Sequence, residues 1–262
     1  MTIRIPDNGS RGRARLGLIV PVHNTNFESD MILLRPQGVS LHVMRVGGYD
    51  LDKMPDPELM RQFALSSLEE VISALSATHP DVILYGCTSA TLAHGPKFDY
   101  EFAQRITKMS GAPVITAAGA LVEALVTLKA KRIAFSSPYV EALNQEAITF
   151  LERCDIQTVS SAYVGSDLGI YGQGELTPEE VYDLGCRADH PEAEVIVLSC
   201  TDMRAVEAVD ALERDCNKPV VTSNQALLFA ALRKLSLAPE VLVRCGRLFD
   251  YLLRGSGDEN FL

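Results

Sequence analysis

The chain carries one short text twice, and that repeat limits its fold more than any other feature. Asp81–Ser89 reads DVILYGCTS and Glu194–Asp202 reads EVIVLSCTD. Each copy is an acid, a run of mostly apolar strand residues, a Cys-Thr pair and a side chain suited to capping a helix. Two further segments match in the same order. ARLGLIVPV, ending at Val22, parallels KRIAFSSPYV at Lys131–Val140, and APVITAAGALVEAL from Ala112 parallels KPVVTSNQALLFAAL from Lys218. The offset between copies shrinks along the chain, as loop deletions would make it. Three ordered matches point to two similar lobes. The alternative is a single doubly wound sheet with accidental similarity.

The rest of the chain supports alternation of strand and helix. Short apolar runs read as strands at Leu16–Val22, Val39–Val46, Val82–Tyr85, Val114–Ile115, Arg132–Phe135, Thr158–Tyr163, Val195–Leu198 and Val220–Val221. Between most of them lie helical patterns, among them Pro57–Ala77, Ala118–Leu128, Val140–Arg153, Pro178–Arg187, Met203–Arg214 and Asn224–Leu235. Continuously apolar strands alternating with helices predict parallel sheets covered on both faces. The expected fold is therefore α/β, with two lobes, each a parallel sheet flanked by helices, related by a pseudo-twofold around a cleft. One lobe is expected to comprise residues 1–116 with 223–262, the other residues 117–222.

Composition narrows the function. With 262 residues, 47% hydrophobic and 22% charged, the chain can bury a core without disulfide or metal staples. A net charge of -10 disfavours nucleic acid as a partner. The absence of tryptophan also argues against a base-stacking platform. No apolar run is long enough to span a membrane, and the arginine-bearing start does not read as an export signal. A cytoplasmic location is the corresponding expectation. The six cysteines, Cys87, Cys154, Cys186, Cys200, Cys216 and Cys245, show no metal-ligand spacing and read as free thiols.

The repeat selects two of those thiols. Ligands of open α/β sheets bind beyond the carboxyl ends of the strands. Cys87 and Cys200 each sit there, before a helix start that lowers a thiol pKa. Facing lobes would place them on opposite walls of one pocket, one as thiolate and one as acid. Thr88, Ser89, Thr201 and Asp202 follow them and would supply anion-holding donors with the helix N-termini. Asn24, on the loop after the first strand, is a candidate carboxylate donor or equally a turn cap. Tyr139, at the matching place in the second lobe, is a candidate substrate donor. Cys154, Cys186, Cys216 and Cys245 read as packing residues. His23 and His94 lie near the active ends. Gly169–Leu176, GIYGQGEL, is not a dinucleotide fingerprint and reads as a mobile lid.

With GLIVPVHNT at Gly17–Thr25, YGCTS at Tyr85–Ser89, SPYVEALN at Ser137–Asn144 and LSCTD at Leu198–Asp202, the chain resembles the Asp/Glu racemase superfamily. It is most similar to the branch of maleate cis-trans isomerases and arylmalonate decarboxylases. The resemblance implies a reaction without cofactor or metal, on a small carboxylic acid. It implies that Cys87 adds to the double bond of maleate or a related unsaturated acid and that Cys200 gives and takes a proton. It implies that Asn24 and Tyr139 bind carboxylate. The decarboxylases have glycine at the place of Cys87, so Cys87 favours isomerase or racemase. Amino-acid or hydroxy-acid racemase, arylmalonate-type decarboxylase and a non-catalytic acid-binding protein remain alternatives. A homo-oligomer is common for such enzymes. One departure stands out. Maleate isomerases carry an asparagine in the loop after the strand near Tyr163, and this loop, VGSDLGIYGQGEL, has none. Asp167 would repel a carboxylate there, and Gln173 substitutes only if the loop folds inward.

Overall fold

The computed structural model describes residues 12–47, 57, 58, 60, 68–169, 171–237 and 246–253. Cys245, most of the basic leader and part of the helix expected at Pro57–Ala77 lie outside those residues. Two parallel four-stranded sheets form the frame. The first contains β1 (Ala14–Pro21), β2 (Val39–Val46), β3 (Val82–Tyr85) and β4 (Val114–Thr116), in the order β2-β1-β3-β4. The second contains β5 (Arg132–Ser137), β6 (Gln157–Tyr163), β7 (Val195–Leu198) and β8 (Val220–Thr222), in the order β6-β5-β7-β8. The two orders are the same order, so the duplication read in the sequence is a duplication of topology.

The repeat extends to individual bonds. The acid that opens each repeated text closes the start of the neighbouring strand. Asp81 Oδ2 accepts from Arg15 N at 2.7 Å, and Glu194 Oε2 accepts from Lys131 N at 2.7 Å and Arg132 N at 2.9 Å. Beyond the last strand of each sheet a threonine caps the next helix. Thr116 Oγ1 accepts from Gly119 N and Thr222 Oγ1 from Gln225 N, both at 3.0 Å. These caps satisfy donors that a helix start leaves unpaired.

Helices cover both faces of each sheet, as near-continuous apolar strands require. In order they are α1 (Phe27–Leu34), α2 (Leu68–Ser76), α3 (Thr88–Leu92), α4 (Pro96–Ser110), α5 (Ala117–Thr127), α6 (Glu141–Glu152), α7 (Gly172–Glu175), α8 (Pro178–Ala188), α9 (Val209–Asp215), α10 (Ser223–Lys234) and α11 (Asp250–Leu253). Leu16, Leu18 and Val20 of β1 share one core with Ile133 and Phe135 of β5. Leu121 and Leu125 of α5 and Leu227, Leu228 and Leu232 of α10 fill the same core. The opposite faces, with Ile19, Ile83, Ala134 and Ile196, belong to a second core that also encloses the two cysteines. Residues of both sheets thus pack together in each of the two cores.

The helix expected over Met203–Arg214 starts late. Ala205 N bonds Met203 O at 2.7 Å in a tight turn, Val206–Ala208 forms a 3-10 turn, and the α-helix begins at Val209. Asp202 is committed to another loop, described below, which holds the chain out of helical register. Among the described residues no helix is long and apolar enough to cross a membrane.

Candidate active site

The carboxyl ends of β3 and β7 deliver Cys87 and Cys200, each two residues past its strand. A single bond brings the two loops together. Thr201 Oγ1, just after Cys200, donates to Gly86 O, just before Cys87, at 2.8 Å. Gly86 fits because a Cβ there would drive into the Phe27 ring. Both cysteines are only 6% exposed, charge on Cys87 is felt by Cys200, and charge on either is felt by Tyr139. Two thiols and a phenol therefore lie buried near one another.

Their environments differ. Burial pushes the Cys87 thiol up to about 11, while the Ala90 N–H and the Ser89 hydroxyl, with Sγ and Oγ 3.9 Å apart, pull it back. Burial pushes Cys200 up further, and the neighbouring Asp202 carboxylate adds to the rise. Asp202 N, 3.4 Å from Cys200 Sγ, opposes this. Desolvation favours the neutral thiol in both cases, and hydrogen bonds to sulfur favour the thiolate. Of the two, Cys87 is the more readily ionised and Cys200 the more firmly protonated. Tyr139 is 1% exposed, and its Oη has no partner in hydrogen-bond geometry among the described residues. Burial, then the two thiols, hold it as the neutral phenol, a donor beside Ser199 and Cys200.

The other candidates divide by what they hold. Asn24 is 3% exposed and ties the loops. Its Nδ2 donates to Thr201 Oγ1 at 3.0 Å, and its Oδ1 accepts from Asn26 N at 3.1 Å and Phe27 N at 2.9 Å. Asp202 spans the same junction. Its Oδ1 accepts from Thr25 N at 2.7 Å and Asn26 N at 3.2 Å. Burial still raises its carboxyl to about 6 against those bonds. Thr88 donates its hydroxyl to Ser223 Oγ at 3.1 Å, across to the start of α10. Asn24, Thr88, Thr201 and Asp202 thus brace the junction, whereas Cys87, Ser89, Cys200 and Tyr139 surround the thiols.

The segment after β6 folds inward. Gln173 on α7 reaches Cys200, whose Sγ donates to Gln173 Oε1 at 3.3 Å. Asn26 Nδ2 fastens the segment by donating to Gly174 O at 3.1 Å. Tyr171 packs edge-on against His23, ring centroids 5.2 Å apart. Asp167 stays exposed with its Oδ1 on Gly169 N at 2.8 Å. His94 stacks on Phe98 instead, 3.5 Å between centroids. Cys154, Cys186 and Cys216 are half-buried free thiols. Among the described residues no group of three or more His, Cys, Asp or Glu is placed to hold a metal ion. Sequence reasoning did not find Asn224, whose Nδ2 bridges Asp30 Oδ2 at 2.7 Å and Thr201 O at 3.0 Å. Its place two residues after the Thr222 cap was the available signal.

Known proteins resemble the chain along most of its length. The family model for arylmalonate decarboxylase matches residues 16–249. A maleate isomerase of Pseudomonas putida is 31% identical over 242 residues, covering 87% of this chain and 94% of the relative. A maleate isomerase of Nocardia farcinica is 29% identical over 247 residues, covering 90% and 96%. A solved Nocardia farcinica maleate cis-trans isomerase, a cysteine-to-serine mutant with a covalently bound succinylcysteine intermediate, superposes with a TM-score of 0.81. It is 27% identical, and the match covers 90% of this chain and 98% of that one. The chain belongs to the arylmalonate decarboxylase family, in the branch of the Asp/Glu racemase superfamily that also contains the maleate isomerases.

Proposed function

We propose that this chain is a cis-trans isomerase of maleate or a related small unsaturated carboxylic acid, working through two cysteines without a cofactor. The observation that carries the reading is the asymmetry of two neighbouring buried thiols. The Cys87 thiolate adds to one alkene carbon, forming a C–S bond. The π pair moves to the adjacent carbon and into its carboxylate. That carbon takes the proton of Cys200, leaving a succinyl thioether on Cys87 and a thiolate on Cys200. Rotation about the new single bond follows. Cys200 then removes the proton, the C–S bond breaks, and the trans acid leaves with both thiols returned to their starting states.

A thiolate is a soft nucleophile suited to conjugate addition. Its formation in the enclosed site costs about 5 kcal/mol at neutral pH, since the Cys87 thiol lies near 11. Ala90 N–H and Ser89 act against that cost. Tyr139 Oη is the group best placed to receive a substrate carboxylate. The reading also takes the cleft to lie between residues 1–116 with 223–262 and residues 117–222.

Proton NMR of maleate with the protein tests the proposal. Fumarate is expected, and Cys87→Ala abolishes its formation. A fully active Cys87→Ala variant overturns the nucleophile, and no conversion of maleate or its simple homologues overturns the reaction. Deuterium wash-in without net change would mark a racemase, and CO2 from a substituted malonate a decarboxylase.

A further inference from the structure

We propose that Gln173 is a positioning residue for the second thiol, delivered to Cys200 by closure of the 171–176 segment. The proposal rests on the proton-donor role of Cys200 above. Three observations carry it. Gln173 Oε1 accepts from Cys200 Sγ at 3.3 Å. The segment is held from the opposite lobe, by Asn26 Nδ2 on Gly174 O at 3.1 Å and by the His23–Tyr171 ring contact. Gly174 itself packs so closely at the junction that a Cβ would stand 3.0 Å from Thr25 Oγ1 of that lobe and 3.1 Å from both carboxylate oxygens of Asp202 in its own. The fit of the segment therefore sets where the Gln173 amide arrives.

The chemistry suits an amide. A proton donor must hold its proton until substrate is bound and then give it up. An acceptor on the S–H stabilises the thiol. The same side chain, turned about its last bond, presents N–H to the thiolate that remains after transfer. A glutamine serves both states of Cys200, which a carboxylate or an ammonium group does not. The charged and titratable groups that bear on Cys200 are Asp202, Cys87 and Tyr139. All three stay in place in the test below. Opening of the segment removes the amide, so acid–base competence of Cys200 is tied to closure.

The test is alkylation of each cysteine by iodoacetamide, followed by mass spectrometry, in wild type, Gln173→Met and Gln173→Glu. Methionine keeps the cover over the thiol and removes the acceptor. At about pH 8, alkylation of Cys200 should rise about three- to tenfold in Gln173→Met, the worth of one hydrogen bond, with Cys87 unchanged. It should fall below wild type in Gln173→Glu, whose carboxylate holds the proton harder. In turnover of maleate, Gln173→Met should lower kcat and leave KM near its original value. Unchanged Cys200 alkylation in both variants overturns the proposal. So does a raised KM with unchanged kcat, which would make Gln173 a substrate grip. If the wild type makes no fumarate, the functional reading fails while the alkylation result still decides the role of Gln173.

Discussion

Asp202→Asn separates the electrostatics of the junction from its geometry. Asp202 is 7% exposed, and its carboxyl is raised from 3.8 to about 6, first by burial. The folded chain therefore holds this proton more tightly than the unfolded chain does. Between about pH 4 and 6 the folded state binds more protons, so wild-type stability falls as pH rises through that window and levels above it. The difference amounts to about 3 kcal/mol, at about 1.4 kcal/mol for each pH unit between the two values. Asparagine has the same shape and keeps an oxygen for Thr25 N and Asn26 N. It has no charge to bury. The stability of Asp202→Asn relative to wild type should grow by about 3 kcal/mol from pH 4 to pH 7. Urea unfolding followed by far-UV circular dichroism at several pH values measures it. Asp99, also raised by burial, contributes equally to both proteins and cancels, and Asp30 feels the Asp202 charge only as the last of its causes. A stability difference that is flat across the range, or that shrinks, refutes the reasoning. The variant should also speed alkylation of Cys200, because the Asp202 carboxylate stands second to burial in holding that thiol neutral.

Thr201→Val removes the hydroxyl that joins Gly86 O to Asn24 Nδ2. It leaves buried polar atoms unpaired and should lower stability by about 1–3 kcal/mol, read by thermal unfolding. Gly86→Ala sets a methyl group against Phe27 and should cost about 1–3 kcal/mol of overpacking. Because Gly86 adjoins Cys87, maleate turnover should fall more than stability predicts. Gly174→Ala crowds Thr25 and Asp202. It should loosen the 171–176 segment, raising Cys200 alkylation while far-UV circular dichroism stays as in wild type.

Most of the fold was legible because duplication makes a weak signal count twice. The strand at Val195–Leu198 is convincing partly because Val82–Tyr85 says the same thing, and both lie as read. Of the helices that went unread, α4 and α1 are the longest. α4 carries Pro96 at its start, Gly111 at its end, and Phe98, Phe102 and Ile106 at helical spacing, but it is about twice the length of α9, which holds the same place in the other half, so the repeat did not point to it. α1 follows a loop rich in turn-forming residues that hid its start. In the site, the two cysteines were legible from strand ends alone. The direction of Thr88, toward Ser223, was not, since that contact joins residues far apart in sequence. The arrival of Gln173 depends on how a short glycine-rich segment docks against Asn26 and Asp202, which no local pattern encodes.

The departures from symmetry assign the chemistry. Two identical Cys-Thr turns at equivalent strand ends would give two equivalent thiols, and a proton has no reason to prefer one of them. The residue after each pair breaks the tie. Ser89 offers a neutral hydroxyl to Cys87. Asp202 sets a carboxylate beside Cys200, and that carboxylate is fixed by the loop it clamps. Negative charge next to a thiol discourages its ionisation, whereas a hydrogen-bond donor encourages it. The same carboxylate therefore joins the lobes and makes Cys200 the weaker acid of the pair. Exchanging the two residues, with Ser89→Asp and Asp202→Ser together, should reverse which cysteine is alkylated faster. An unchanged order of reactivity would mean that desolvation, and not the residue after each Cys-Thr pair, ranks the thiols, and the assignment of nucleophile and acid would lose its basis.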